Sequence, residues 1–460
     1  MSPSTEPASK RARHACRRFW LGILATIIVA GGAALIAAAV LGVGEFLSFL
    51  HRLPTPAPQT AAVTAIFAAT YLVLAIGKLP YYRLDRAGGA LLGASLMIGV
   101  GALSLDEAYR AIDFDAITLL LGMMIVVANL RLSGFFRRAA DWLADAARRP
   151  IFLLVAVATA TGFFSAFLVN DAICLVMPPL VIDLTQRLKR DPTPYVLAIP
   201  LASNVGSVAT ITGNPQNMII AGASRLTYGE FAEALWPIAL GGVALTIVLV
   251  ALAFPRELLS REKLAPIAPA PRPYHAAIAS KALLVTAAMI ACFFAGAPPA
   301  KVAIVAGGLL LLTRRIGSKK IYNEIDWPLL LMFAGLFVVV GAFDKAVLTP
   351  GEAAGFDRLR LDQATTLALL SAVLSNIVSN VPAVLALKPF VAQLSDPKRA
   401  WLIVAMASTL AGNFTLVGSI ANLIVVERAR SLGVRIGFWT YFKVGAPLTL
   451  ATIALGLWRL

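Results

Sequence analysis

Along this chain, apolar residues come in long runs separated by short polar segments. The runs cover roughly 19–44, 60–77, 88–104, 115–130, 151–185, 195–224, 231–254, 280–297, 300–313, 325–343, 364–394, 400–426 and 437–459. A stretch of about 17–25 apolar residues suffices for a helix to cross the hydrocarbon core. The pattern predicts an all-α polytopic membrane protein with about 11 transmembrane helices. Two of the long runs carry a polar break near the middle: "LVNDA" (168–172) in 151–185 and "IVSNVPA" (377–383) in 364–394. The first run has basic residues at both ends, "ARRP" and "QRLKRD". Two like flanks around one polar tip read as a re-entrant hairpin, in and back out on one side. The second run reads as a hairpin with the opposite flanks.

A third break lies in 195–224, where "ITGNPQNMIIA" (211–221) places Gly213, Asn214, Pro215, Gln216 and Asn217 at membrane depth. Each breaks a helix or brings polar groups that need partners. Its counterpart is "LVGSIANLIVV" (416–426), which shares G-x-x-x-N as Gly213/Asn217 and Gly418/Asn422. The hairpin tips match too: "NDAICLVMPP" from Asn170 aligns without gaps on "NVPAVLALKP" from Asn380. Upstream, Asp115 in "IDFDAITLLLG" pairs with Asp326 in "NEIDWPLLLMFAG". Matches in the same order, offset by 205–211 residues, predict an internal duplication. The halves start on opposite sides, so the duplication reads as an inverted-topology repeat. Residues 60–254 form the first repeat, with the inner hairpin 151–185. Residues 281–460 form the second, with the outer hairpin 364–394, and 255–280 is a cytoplasmic linker. Residues 1–59, a basic cytoplasmic tail and a first helix, stand outside the repeat. The run 19–44 is too long for a typical signal peptide and reads as a retained helix. Inverted repeats place a site near the bilayer midplane, built from interrupted helices. Unwound backbone at that depth is tolerated where it is buried or lines a cavity.

Composition agrees with the membrane class: 59% hydrophobic, 14% charged, mean hydropathy +0.81. The net charge of +16 reports orientation. Alternating the runs from an inside N-terminus places 28 of 40 Lys and Arg on the inside, the positive-inside pattern. This predicts the cytoplasmic (inner) membrane, N-terminus inside and C-terminus outside, with lipid and not nucleic acid as the partner. Cys16, Cys174 and Cys292 form no CxxC pair, and His14, His51 and His275 lie in tails or loops. An enzyme needs an acid–base pair or metal ligands beside a nucleophile, and the spans hold none, so the chain reads as a transporter. There is no phosphate-binding G-x-x-x-x-G-K-[ST] loop. Any drive from ATP would need a separate subunit.

Four polar breaks converge in this scheme. The candidate substrate and ion ligands are Asn170 and Asp171; Asn204, Thr212, Gly213, Asn214 and Asn217; Ser379 and Asn380; and Asn413, Thr415, Gly418, Ser419 and Asn422. Asn, Ser and Thr side chains can donate and accept, and half-helix N-termini favour anions. Such a set can hold an anion and a cation without a fixed charge, and can release both. Single Ser, Thr and Gly residues in membrane helices also serve close packing. Asp171 is the one carboxylate in the middle of an apolar run, a candidate for proton or cation coupling beside a plain structural hydrogen bond. Its repeat mate is Val381. Lys388 either attracts an anion or pairs and snorkels. Cys174, one helical turn after Asn170, reads as apolar core.

At these motifs the chain resembles the ion transporter superfamily over about residues 60–459, with a citrate-transporter-like domain. That superfamily includes the divalent anion/sodium symporters and the arsenite permease and sodium–proton antiporter families. The symporters carry Ser-Asn-Thr at both tips and Gly-x-Pro-Pro-Asn in the following helix. Here the tips read "VND" (169–171) and "SNV" (379–381), and the helix motif "GNPQN" (213–217). The "ND" tip and "LSNIVSNVPAVL" (374–385) are more similar to the arsenite permease branch. The resemblance implies an elevator mechanism, commonly a homodimer, and Na⁺ sites near Asn170, Gly213, Asn380 and Gly418. The expected function is secondary transport of a small anion or oxyacid, as in arsenite or antimonite efflux, coupled to protons or the membrane potential. A sodium-coupled carboxylate or sulfate symporter and a sodium–proton antiporter are the alternatives. No cofactor is expected beyond a coupling ion, H⁺ or Na⁺.

Overall fold

The computed structural model describes residues 58–79, 84–146, 149–260, 264, 274–313, 315–347 and 360–460. All belong to one of the chain's two units, Arg52–Leu460. The expected first helix, the basic tail and the middle of the 255–280 linker lie outside the described residues.

The first half opens with α1 (Pro58–Ile76), a short antiparallel strand pair (Lys78–Leu79 with Leu84–Asp85) and α2 (Arg86–Gly99). Then come α3 (Leu105–Ala111), α4 (Phe114–Leu132) and α5 (Phe135–Ala146). A helical hairpin of α6 (Pro150–Phe167) and α7 (Asn170–Arg187) follows. Next are α8 (Thr193–Ser207), a non-helical break, α9 (Pro215–Ser224) and α10 (Tyr228–Ala253). The second half runs α11 (Ala276–Phe294), α12 (Pro299–Leu311), α13 (Trp327–Val347), and the hairpin α14 (Ala364–Val378) with α15 (Asn380–Val391). It ends with α16 (Pro397–Ala411), a break, α17 (Ile420–Ser431) and α18 (Phe438–Arg459). Among the described residues, seven helices are long and apolar enough to cross a membrane. The hairpins and broken helices are mostly shorter, because each polar break interrupts its run.

The packing recurs between the halves. Helix α4 packs on α12, and α13 packs on α2. Both crossings are close for the same reason. A Cβ on Gly122 of α4 would lie 2.5 Å from the Ala303 carbonyl carbon, and one on Gly335 of α13 would lie 2.7 Å from that of Ala90. Small residues let helix backbones approach in lipid, where van der Waals contact drives association. Further in, α6 packs on α8 and α14 on α16; α7 meets α17, and α9 meets α15. These inner elements bury nearly every side chain of α8 and most of those of α16.

Helix starts correct one sequence pairing. Asp113 Oδ1 accepts from the Ala116 amide (3.0 Å) at the start of α4, and Asp326 Oδ1 accepts from the Leu329 amide (3.0 Å) at the start of α13. Asp113, rather than Asp115, thus shares with Asp326 the role of helix cap. The basic segment 131–149, read from sequence only as an inside connection, holds α5. Its "FFRRAADWLADA" buries Phe136 and Ala140 and exposes Trp142, the two-faced pattern of an amphipathic helix.

Candidate functional site

Each hairpin turns on a single residue in left-handed backbone. Val169 has φ 25° and Ser379 has φ 78°, and each stands directly before the Asn that starts the returning helix. Held non-glycine residues of this kind cost about 1–3 kcal/mol, more readily tolerated at functional sites. Both tips are tied by serines, the first by Ser203 of α8 and the second by Ser375 of its own arm. Ser165 Oγ lies 2.7 Å from Ser203 Oγ, and Ser203 Oγ donates to the Asn170 carbonyl at 3.3 Å. In the other half, Ser375 Oγ has two acceptors for its one proton, Asn380 Oδ1 at 2.6 Å and the Ser408 carbonyl at 2.7 Å.

The two helix breaks are built alike. In the first, Asn217 Nδ2 donates to the Ser207 and Thr210 carbonyls. In the second, Asn422 Nδ2 donates to the Gly412 and Thr415 carbonyls. Gly213 and Gly418 sit where the chain folds back on these carbonyls. A Cβ on Gly213 would fall 2.1 Å from the Ser207 oxygen, and one on Gly418 would fall 3.0 Å from the Gly412 oxygen. Asn214 caps α9, accepting from the Asn217 amide at 2.9 Å, with Pro215 at the first helical position, where its missing N–H costs nothing. Thr212 Oγ1 lies 2.8 Å from the Tyr228 hydroxyl.

A buried polar network then joins the halves. Asn204 Nδ2 donates to Asn413 Oδ1 (2.9 Å) and Asn422 Oδ1 (3.0 Å). Asn204 Oδ1 accepts from Asn170 Nδ2 at 3.2 Å and from Ser419 Oγ at 3.4 Å. In the reciprocal position, Thr409 Oγ1 accepts from Asn214 Nδ2 (3.3 Å) and Gln216 Nε2 (3.0 Å). Asn413 Nδ2 reaches across to the Leu201 carbonyl at 3.1 Å. Buried amides this well paired fix a unique arrangement.

Against this network lies a small cavity with a free volume of about 30 Å³. Asn170 and Asp171 face it from the start of α7, and Ser379, Asn380 and Val381 from the start of α15. Pro215 and Gln216 at the start of α9, and Ser419 and Ile420 at the start of α17, complete that wall. Four helix N-termini thus converge on one space, each with free backbone donors and a partial positive charge. Asn170 is 3% exposed, and its Oδ1 has no hydrogen-bond partner. A buried, unspent acceptor beside a cavity calls for a ligand or water that donates to it. The opposite wall comes from other helices: Arg86 of α2, and Leu329 and Met332 of α13.

The sequence-derived candidates therefore divide into two groups. Asn170, Asp171, Ser379, Asn380 and Ser419 line the cavity. Asn204, Thr212, Gly213, Asn214, Asn217, Asn413, Thr415, Gly418 and Asn422 do not line it. They hold the breaks whose helix ends do. Lys388 is not at the cavity either; its Nζ stands 5.8 Å from the Phe337 ring centroid, in cation–π range. Cys174 is fully buried in the core. Arg86, Gln216, Leu329 and Met332 are lining residues the sequence reading passed over. Gln216 was visible in the quoted break, whereas Arg86 stood among the inside charges with nothing to mark it.

Comparison with known proteins adds a family to this geometry. A family model described as "Citrate transporter" matches residues 70–411. A silicon efflux transporter of Oryza sativa subsp. japonica is 28% identical over 472 residues, covering 87% of this chain and 97% of its own. A Dictyostelium discoideum protein carrying the transporter name arsB is 26% identical over 490 residues, covering 81% and 87% respectively. Among solved structures, the YdaH transporter of Alcanivorax borkumensis superposes with a TM-score of 0.57 at 15% identity, covering 87% of this chain and 97% of its own. That likeness concerns the fold.

Proposed function

The chain belongs to the citrate transporter family, a family of membrane transporters and not enzymes, and from that premise we propose that it is a secondary transporter moving a small oxyacid or anion outward through the cavity between the hairpin tips. The observation that carries this is the meeting of four helix N-termini and the unpartnered Asn170 Oδ1 on one cavity. Backbone donors bind oxygen-rich solutes without a permanent charge, so release stays cheap. Asn170 Oδ1 and the Asp171 carboxyl supply acceptors for a solute that carries O–H groups. Relatives named for silicon efflux and as arsB support an oxyacid. A polycarboxylate such as citrate is the second reading, favoured by the family's description; its carboxylates are acceptors only, and a single hydroxyl is its one donor toward Asp171.

In this reading the halves form an inverted-topology repeat, supported by the recurring contacts of α4 with α12 and α13 with α2. The hairpins and broken helices are the moving body of an elevator, and α2, α4, α12 and α13 belong to its stationary frame. Protons or the membrane potential drive transport, with Asp171 as the proton carrier; Na⁺ is the alternative coupling ion. The inner membrane is the site of action. The test is a radiotracer panel in proteoliposomes: arsenite, sulfate, succinate, citrate and Na⁺, each with and without a pH gradient. Saturable arsenite flux that responds to the gradient supports the proposal. Saturable flux of succinate or citrate alone would replace it with the carboxylate reading.

A further inference from the structure

Arg86 is the sole cationic side chain on the cavity wall. It is half-buried at the first position of α2, just after Asp85, whose Oδ1 caps the helix by accepting from the Gly88 amide at 2.8 Å. Its Nε donates to the Leu74 carbonyl at 3.1 Å, in the last turn of α1. The guanidinium also packs over Gly77, where a Cβ would lie 3.5 Å from an Nη. Gly77 takes φ 84°, a conformation that glycine adopts without strain. These contacts spend one donor and fix the head group. The remaining four N–H donors of the fork are unspent on any ion pair among the described residues. Asp171 shares the cavity, and no salt bridge joins it to Arg86.

The two walls differ in what they are attached to. The polar wall is formed by α7, α9, α15 and α17, the hairpins and broken helices. Arg86 belongs with α1, α2 and α13, which pack on one another. If the first set slides past the second, a bound solute travels with the helix N-termini and leaves the guanidinium behind. The segment 77–87, which contains Arg86, reads from its charge as an inside segment, and on that reading the wall carrying Arg86 faces the cytoplasmic approach to the cavity.

We propose that Arg86 is a specificity-determining residue that touches the solute only in the cytoplasm-facing state, raising affinity for charged solutes on that face alone. This rests on the transport reading above. A carrier built this way loads an anion tightly inside and holds it loosely outside, because the charge-assisted hydrogen bonds are lost during the crossing.

The test uses the full chain in oriented proteoliposomes, with sulfate as the charged probe and arsenite, uncharged near neutral pH, as the uncharged one. In Arg86→Gln, the KM for sulfate at the cytoplasmic face should rise about tenfold. Its KM at the external face and the arsenite KM at both faces should stay within about twofold. Arg86→Lys, which keeps the charge but not the fork, should recover part of the loss. A purely structural role, capping α1 through Leu74, would raise KM or lower the maximal rate at both faces and for both probes, and that result overturns the proposal. If Arg86→Gln fails to insert, Arg86→Lys carries the test alone, since a cytoplasmic sulfate KM equal to wild type together with an equal external KM also overturns it. Should wild-type protein move neither sulfate nor arsenite, the reading as an oxyacid carrier falls, and this inference falls with it.

Discussion

Asn217 and Asn422 perform the same act in the two halves: each side-chain amide donates to the carbonyls ten and seven residues before it. The distances are 3.1 and 2.9 Å for Asn217 to Ser207 and Thr210, and 2.7 and 3.1 Å for Asn422 to Gly412 and Thr415. Unwinding a membrane helix frees carbonyls that no water is present to satisfy. One amide with two N–H groups closes both and pins the start of the next half-helix to the end of the last. The cavity is a consequence, because the N-termini facing it are placed by this clamp.

Truncating the clamp should therefore destabilise before it alters binding. Leaving buried carbonyls unpaired costs about 1–3 kcal/mol each, so Asn217→Ala and Asn422→Ala should both lower the melting temperature in detergent and most of the flux. Asn422→Ala should be the worse of the two. Asn422 Oδ1 also accepts from Asn204 Nδ2, whereas Asn217 Oδ1 has no partner to lose. Thermal unfolding followed by tryptophan fluorescence reads the order directly, and equal melting temperatures for wild type and either variant would refute the clamp.

The paired glycines should differ as well. An alanine methyl at 213 would press on the Ser207 backbone oxygen at 2.1 Å, where nothing flexible can yield. At 418 the tightest neighbour is Asn376 Oδ1 at 2.6 Å, the end of a side chain without a hydrogen-bond partner on that atom. Gly213→Ala should abolish the folded, monodisperse protein on size exclusion. Gly418→Ala should insert and keep measurable flux. The reverse order would show that the second break is the more rigid one.

Much of this was readable from residue type and spacing. Asn and Gly at membrane depth announce a broken helix, and their recurrence as Gly213/Asn217 and Gly418/Asn422 announced two. What spacing could not separate was framing from facing. Asn204, Asn217 and Asn422 satisfy backbone or one another, while Asn170 and Asn380 meet the cavity, and the residue type is identical. Arg86 was hidden for a different reason. Its charge fits an ordinary inside flank, and only the packing of α2 on α1 and α13 brings it to the site. The Asp113 cap was missed because Asp115, two residues on, also fits the alignment.

Glu107, outside the spans, pairs with Lys345 in the last turn of α13, and the pair serves as a control for pH experiments. The Lys345 ammonium donates to Glu107 at 2.6 Å, and with the Ser104 backbone N–H it holds the Glu107 carboxyl down at about 2, from 4.5. A depressed folded value means that the pair's contribution is complete above the unfolded value and is lost as pH falls toward 2. It is constant between about pH 5.5 and 8. Lys345→Gln should thus leave the shape of the flux–pH curve in that range unchanged, as expected for an exposed ion pair. A shifted curve would assign part of the pH response to this surface pair.

Asp171 is where a pH response in that range should originate. It is the carboxylate among the cavity-lining residues, in the first turn of α7 beside Asn170. Val381, which follows Asn380 at the other tip, lines the same cavity without a titrating group, so the two tips differ in charge at this position while sharing a left-handed turn residue. A carboxyl that binds a proton in one state of the cycle and releases it in the other couples flux to the pH gradient. Asp171→Asn preserves shape and removes that proton site. In proteoliposomes its initial flux should change less than about twofold when a gradient of one pH unit is imposed, against a larger acceleration in wild type. Asp171→Glu, which restores an ionisable group one methylene further out, should regain part of the response. If Asp171→Asn keeps the wild-type dependence on the gradient, the proton is carried elsewhere, and Na⁺ or the membrane potential becomes the drive to test at this cavity.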